Sequence, residues 1–266
     1  MIDIIIPVYN DNNNLKLCLA SIAMQTINNL ISVVIVDDAS TVSYDELIEN
    51  FSGELSINYY KLQNNVGAGL ARQYGIEHSN NPYICFIDSD DLLYNPKSIE
   101  ILFNNTKEGA EYISSIEYDE KYNIYVNNMN DLHGKMYSRQ FLKEKNIKFN
   151  TTRFHEDCYF NNLVLICNPK AIYIDEKTYF YSHNKQSVST LSRKEYIKKF
   201  EFLFYNIREI LNYAYKINCK KEEIDRFIYF KNEYFKRVYI QLTDEEKVEF
   251  KKAINQYNLQ GLFLQQ

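Results

Sequence analysis

Strand-like runs alternate with helix-like runs over the first hundred residues, and no other feature of the chain narrows its fold as much. Residues 2–8 (IDIIIPV) form a β-branched run that stops at Tyr9-Asn10-Asp11, after which Leu15, Leu19, Ile22 and Ala23 recur with helical spacing. Residues 32–36 (SVVIV) end on Asp37-Asp38 and lead into a helix over about 43–51. A third strand at 57–62 is followed by Asn64-Asn65-Val66-Gly67 and a helix through Ala71, Tyr74 and Ile76; a fourth strand occupies 83–87. This alternation predicts an α/β fold with a Rossmann-like, mostly parallel sheet and helices on both faces, binding ligands beyond the carboxyl ends of its strands.

The remainder is less regular. A helix after Pro96 is expected to reach about residue 105, with strands at 111–118 and 123–129. A further helix begins near Glu156 and carries Phe160, Leu163, Val164 and Ile166, and two short strands are expected at 171–174 and 178–182. Three helical segments, 194–217, 221–241 and 244–257, then make a C-terminal helical region. No internal repeat or low-complexity linker interrupts the chain.

Bulk properties exclude several classes. A chain of 266 residues that is 45% hydrophobic can bury a self-sufficient core. Thirty-five acidic residues stand against 30 basic ones, mixed along the sequence, which argues against nucleic-acid binding. Five cysteines, an odd number with no C-x-x-C pair, read as reduced thiols of a cytoplasmic protein. Asp3 interrupts the first apolar run and no basic flank precedes it, so no signal peptide is expected there. No apolar run approaches the roughly 18 residues of a membrane span, which leaves peripheral membrane contact as the expectation.

Asp88-Ser89-Asp90-Asp91 places three carboxylates directly after the fourth strand. Clustered carboxylates raise one another's pKa unless a cation neutralises them. A hard divalent ion, Mg²⁺ or Mn²⁺, suits such oxygen ligands and in turn binds diphosphate oxygens. A solvated loop with an Asp helix cap explains the same residues, and the motif alone leaves both readings open. Asp37-Asp38 and Pro7-Val8-Tyr9-Asn10 end two other strands of the same sheet, so three polar strand ends open on one crevice, which favours a functional site.

These and later stretches resemble the family two glycosyltransferases of the GT-A fold: IIIPVYN, VVIVDDAS at 33–40, NNVGAGLARQYG at 64–75, FIDSDD at 86–91, GKMYSR at 134–139, FHED at 154–157 and YSHNKQSVS at 181–189, in the family's order. The resemblance implies a GT-A domain over 1–190, with 1–91 the nucleotide-sugar-binding half and 92–190 the acceptor-binding half, followed by the helical region 191–266. It implies that Pro7, Tyr9 and Asp38 line a nucleoside pocket, that Asp88 lies near the ribose and that Asp90 holds the metal, with Asp91 sharing it. Asn65, Gly67 and Ser89 border the donor, Arg72 faces it as a complementary cation, and Lys185 and Ser187 contact phosphate oxygens. His183 completes the metal shell.

By itself Glu156-Asp157 at a helix start reads as dipole capping. Aligned with the family, Asp157 becomes the general base for the acceptor hydroxyl with Glu156 beside it, and attack opposite the leaving group inverts the anomeric centre. Lys135 and Arg139 are expected near the acceptor, whereas His78, His133 and His155 read as structural. The implied donor is a nucleoside-diphosphate sugar, with uridine diphosphate the expected carrier. The acceptor is a glycan, a lipid-linked sugar, a cell-surface polymer or a protein.

Two enzyme alternatives fit poorly. A sugar nucleotidyltransferase places a Gly-rich loop after its first strand, whereas the first glycine here is Gly53. A dinucleotide-binding dehydrogenase needs a third glycine where Gly67-x-Gly69-x-x-Arg72 has arginine. A non-catalytic nucleotide-sugar-binding scaffold is the remaining alternative. The aromatic residues of 196–239 read as core or homo-oligomer contacts of the C-terminal helices, and the lysines among them make a basic face for the inner surface of a membrane a secondary expectation.

Overall fold

Strand β1 (Ile2–Val8) is buried along its whole length and lies parallel to β2 (Ile31–Asp37) on one edge and β4 (Tyr83–Phe86) on the other. A strand enclosed in this way reads as an unbroken apolar run rather than an alternating one. Asp3 is the exception: its buried carboxylate accepts hydrogen bonds from the backbone N–H groups of Asn80 and Asn81, at 2.9 and 2.7 Å, and from Asn81 Nδ2 at 2.9 Å. Those bonds compensate its burial and fix the turn into β4.

The structure is a computed structural model describing residues 1–107, 109–127, 130–182, 197 and 199–263. It contains two units, residues 1–153 with 169–184 and residues 154–168 with 185–266. In the first unit β3 (Ser56–Lys61) adds in parallel beyond β2. Helix α1 (Asn12–Ala23) is capped by the Asp11 side chain and buries Leu15, Cys18, Leu19 and Ile22, one face of a 3.6-residue period. Helix α2 (Asp45–Phe51) follows β2. Helix α3 (Ala68–Glu77) lies so close to β1 that a Cβ on Gly75 would collide with the Ile5 side chain.

Beyond β4 the sheet continues through β8 (Lys135–Ser138), β6 (Tyr112–Asp119), β9 (Ala171–Tyr181) and β5 (Leu92–Leu93), with β7 (Ile124–Val126) attached to β6. Strand β8 runs antiparallel to both β4 and β6, while β6 and β9 are parallel. The fold is therefore α/β with a wholly parallel first half, as the sequence pattern predicts, joined to a mixed second half. Helices α4 (Ser98–Asn104) and α5 (Arg139–Glu144) complete this unit.

The structure corrects one reading of the middle of the chain and adds two elements to it. Residues 171–181 form one strand, not two, because β9 stays paired to β6 across register shifts between Ser114, Ile116 and Glu117. Asp175, Glu176 and Lys177, which break the apolar alternation, lie at that irregularity, where a strand bulges without leaving the sheet. Strand β8 and helix α5 were not anticipated at all. All five cysteines are free.

The second unit is helical: α6 (Glu156–Ile166), α7 (Phe200–Lys216), α8 (Lys221–Ile240) and α9 (Asp244–Gln256). Its core holds Phe204, Phe235 and Phe250, with ring centroids 5.0 to 5.8 Å apart in tilted and edge-on contacts. Thr243 and Glu246 form a reciprocal capping box at the start of α9. Asn206, buried on α7, donates from Nδ2 to the carbonyls of Phe154 and His155 and so fixes the entry to α6. Part of the aromatic content is thus core, as expected, while Tyr229, Phe230 and Tyr234 are exposed.

Candidate active site

The parallel pairing of β1, β2 and β4 brings their carboxyl ends to the same edge of the sheet. Pro7 is buried in β1, and Tyr9 just beyond it is 51% exposed. The exits of β1 and β2 are laced together: Asn10 N–H donates to Ser40 Oγ at 2.8 Å, and Asn10 Oδ1 accepts from Thr41 N–H at 2.8 Å. Asp37 is fully buried and accepts from Ser40 N–H and Tyr59 OH, both at 2.7 Å.

Asp38 is buried too, and its two carboxylate oxygens accept the backbone N–H groups of Val66 and Gly67 at 2.6 and 2.8 Å. Gly67 has a φ of 93°, a left-handed conformation that favours glycine, and immediately precedes α3. Asn65 donates to the Asp38 carbonyl and accepts from Arg153 Nη1 at 2.9 Å. Asp38, Asn65 and Gly67 therefore form one hydrogen-bonded loop whose shape is set by the carboxylate. A carboxylate has about four lone-pair directions, so Asp38 keeps accepting capacity beyond these two bonds.

The loop after β4 is the electrostatic centre of the first unit. Asp88 forms an ion pair with Arg72 of α3, whose side chain is 5% exposed against 31% for Asp88. Burial alone would raise the Asp88 carboxyl, but the Arg72 guanidinium and His133 hold it well below the usual carboxylate range. Ser89 and Asp90 are half-buried. Asp91 is fully buried, and accepts from Tyr179 OH at 2.7 Å on one oxygen and from Ser182 N–H at 2.8 Å on the other. Burial pushes its carboxyl well above the ordinary value, against the pull of His133 and Tyr179.

His133, read from sequence as merely structural, occupies the middle of this cluster. Its Nδ1–H donates to Glu117 Oε2 at 2.7 Å, and Nε2 lies 3.8 Å from Oδ2 of both Asp88 and Asp91. The ring stacks on Tyr179 and Tyr181, with centroids 4.6 and 5.0 Å away. Burial opposes a charge on this ring, yet Asp131, Asp88, Glu117 and Asp91 raise its pKa well above that of an ordinary histidine. Lys135, expected beside the acceptor, is instead wholly buried with Nζ 2.7 Å from Asp131 Oδ1. Arg139 is half-buried at the start of α5.

A signal for this network was present in the sequence. Asp131, His133 and Lys135 put three ionisable residues within five positions, and the chain turns at 133–134 before Lys135 enters β8. Gly134 has a φ of 62°, and a Cβ there would strike Ser115 Oγ, so the approach to β8 requires glycine.

Glu156 and Asp157 occupy the first turn of α6 in the second unit, both half-buried, and Asp157 Oδ1 accepts from Cys158 N–H at 2.6 Å. His155 precedes them in a left-handed conformation with φ 59°. His183, Lys185 and Ser187 lie outside the described residues.

The donor set around Asp88 fits a hard divalent cation. Asp88 and Asp90 present carboxylates that are only part-buried; ligand atoms of Asp88, Asp91 and His133 also lie within 4.8 Å of one another, but both Asp91 oxygens already accept hydrogen bonds and the surrounding carboxylates favour the protonated His133 ring, so the fit rests on Asp88 and Asp90. Oxygen ligands of this kind favour Mg²⁺ or Mn²⁺ over softer metals.

A sequence model described as glycosyl transferase family 2 matches residues 3–161. Glycosyltransferase GlyA of Streptococcus pneumoniae is 29% identical over 221 residues, covering 71% of this chain and 31% of that protein. The minor teichoic acid biosynthesis protein GgaA of Bacillus subtilis is 26% identical over 229 residues, covering 75% of this chain and 51% of that protein. The chain thus spans about a third to a half of the length of these relatives. Among solved structures, S. aureus TarS 1-349 in complex with UDP-GlcNAc has a TM-score of 0.78 at 18% identity, covering 97% of this chain and 80% of that one. The mannosyltransferase PcManGT from Pyrobaculum calidifontis, in complex with GDP-Man and Mn²⁺, has a TM-score of 0.65 at 16% identity, covering 98% and 75%. At these identities the likeness is one of fold.

Proposed function

Because this chain belongs to glycosyl transferase family 2, we propose that it moves a sugar from a uridine diphosphate sugar to a hydroxyl of a glycan, a lipid-linked or cell-surface polymer or a protein, with inversion at the anomeric carbon. The observation that carries this reading is the Asp88-Ser89-Asp90 loop, poised at a strand end between Arg72 and His133. Asp90 and Asp88 would hold Mn²⁺ or Mg²⁺, which when bound neutralises the donor diphosphate. Both oxygens of Asp91 already accept hydrogen bonds within the protein, which favours a role in anchoring the loop over one in the metal shell.

Pro7, Tyr9 and Asp38 receive the nucleoside in this reading, with Asn65 and Gly67 shaping the neighbouring loop. Asp157, supported by Glu156, takes the acceptor proton as the new bond to the anomeric carbon forms and the bond to the diphosphate breaks. The nucleoside diphosphate departs with the negative charge. His183, Lys185 and Ser187 are proposed to contact metal and phosphate. Residues 1–91 make the donor half, 92–190 the acceptor half and 191–266 the helical region. No helix among the described residues is long and apolar enough to cross a membrane; a cytoplasmic location at the inner membrane face is part of the proposal.

Incubation with uridine, guanosine, cytidine and thymidine diphosphate sugars plus Mn²⁺ tests the reading. Release of sugar from one uridine donor, with the product anomer inverted by NMR, is expected. Turnover of none of them, with one still bound, would favour the non-catalytic sugar-nucleotide scaffold; release of sugar 1-phosphate would point to a nucleotidyltransferase.

A further inference from the structure

Helix α8 has two unlike faces. Ile224, Phe227 and Phe235 are its buried positions. At about 100° per residue, Glu222, Arg226, Tyr229, Phe230, Glu233 and Arg237 fall on the opposite side. Tyr229 and Phe230 lie midway along that stripe and flank it on either side, each 62% exposed and in edge-on contact with one another at 5.7 Å. An isolated exposed ring needs no explanation, but two adjacent rings bracketed by charges on a helix face are the makings of an interface.

The charges specify the occupant. Glu222 and Arg237 are equidistant from the midpoint between Tyr229 and Phe230, and so are Arg226 and Glu233. When the helix is laid antiparallel on a copy of itself about that midpoint, each acid comes level with a base along the axis, and the Tyr229 and Phe230 rings of the two copies meet on either side of the crossing. The stripe is thus complementary to its own twofold copy, the condition for a symmetric interface. Within the chain Arg226 lies 3.1 Å from Glu223, whose side chain is 13% exposed, and Lys236 lies 2.9 Å from Glu233, each pair within one turn of the helix. Such pairs contribute little and are readily exchanged for partners across an interface.

We propose that the outward face of α8 binds the same face of a second copy of this chain, antiparallel, with the twofold axis between Tyr229 and Phe230. One pair of 20-residue helices buries on the order of 1,000 Å², at the low end for a specific interface and the size of a weak, reversible contact. The proposal is independent of the catalytic reading, because none of these residues belongs to the donor site.

Sedimentation velocity from about 1 to 100 μM tests it on wild type, R226E, E233R and the double variant R226E/E233R, with circular dichroism to verify folding. Wild type is expected to pass from monomer to dimer over this range. R226E and E233R each oppose like charges across the axis and are expected to weaken association at least about tenfold. The double variant reverses both charges, restores complementarity and is expected to return to within about threefold of wild type. A wild type that stays monomeric at about 100 μM would overturn the proposal. So would a dimer indifferent to R226E, or a double variant no tighter than either single one.

Discussion

The ring of His133 lies 7° from parallel with that of Tyr179, at a centroid separation of 4.6 Å, while Tyr179 OH donates to Asp91 at 2.7 Å. One stacked pair therefore links β9 to the carboxylate loop after β4, and His133 supplies positive charge among Asp88, Asp91, Glu117 and Asp131. Removing one partner of a buried charge network leaves the others uncompensated, which costs more than the network contributes when intact. His133→Ala is expected to destabilise the protein by about 3 kcal/mol. Urea unfolding monitored by circular dichroism measures this, and an unchanged midpoint would mean that the carboxylates are compensated without the imidazole.

Gly75 governs how closely α3 approaches β1. A methyl group there meets the Ile5 side chain, and overpacking of this kind typically costs about 1–3 kcal/mol. Gly75→Ala is expected to lower stability by that amount, and to cost less in an Ile5→Ala background, which lacks the γ carbons that the added methyl would strike. A double-mutant cycle on thermal unfolding reads the coupling; strict additivity would contradict the packing described.

How far such relationships could be read from sequence depended on whether they were local. β1, β2 and β4 were legible because each is a short apolar run ended by a polar residue, and the polar strand ends located the crevice. β9 was split in two because Asp175, Glu176 and Lys177 interrupt its alternation, and only its pairing with β6 carries it across. The role of His133 was hidden for the same reason. Its partners Asp88, Glu117 and Tyr179 come from three separate strand regions, and only the β4-β8-β6-β9 order brings them together. Lys135 was equally hard to place, since the sequence puts it in a motif near the acceptor and only the fold shows it buried against Asp131.

His155 makes stability depend on pH. Burial lowers its pKa below the ordinary value, with Lys199 and Lys231 acting in the same direction and Asp157 against them. The folded chain thus keeps this ring neutral at pH values where the unfolded chain protonates it, so the unfolded state binds more protons. Its contribution to stability is present above about pH 6.5 and is lost as pH falls from there through the depressed folded value. Between pH 7.5 and 5.5, wild type is expected to lose more stability than His155→Gln, as read from urea midpoints. Equal losses would remove His155 as the source.

Asp157→Asn keeps the shape of the side chain and removes its basicity. In the proposed mechanism this lowers transfer by roughly 10²- to 10⁴-fold, the usual contribution of general base catalysis, while donor affinity stays within a few-fold of wild type. Parallel turnover and equilibrium binding measurements check the split. Loss of binding together with turnover would assign Asp157 to the donor site instead.

Metal-dependent donor binding at the loop after β4 is tested most directly by isothermal titration of uridine diphosphate into wild type and Asp90→Ala, with Mn²⁺ and with chelator. The expected result is binding by wild type only when Mn²⁺ is present, and none by Asp90→Ala in either condition. Equal binding by both proteins, with or without the ion, would contradict the assignment of Asp90 to the metal and of this crevice to the donor diphosphate.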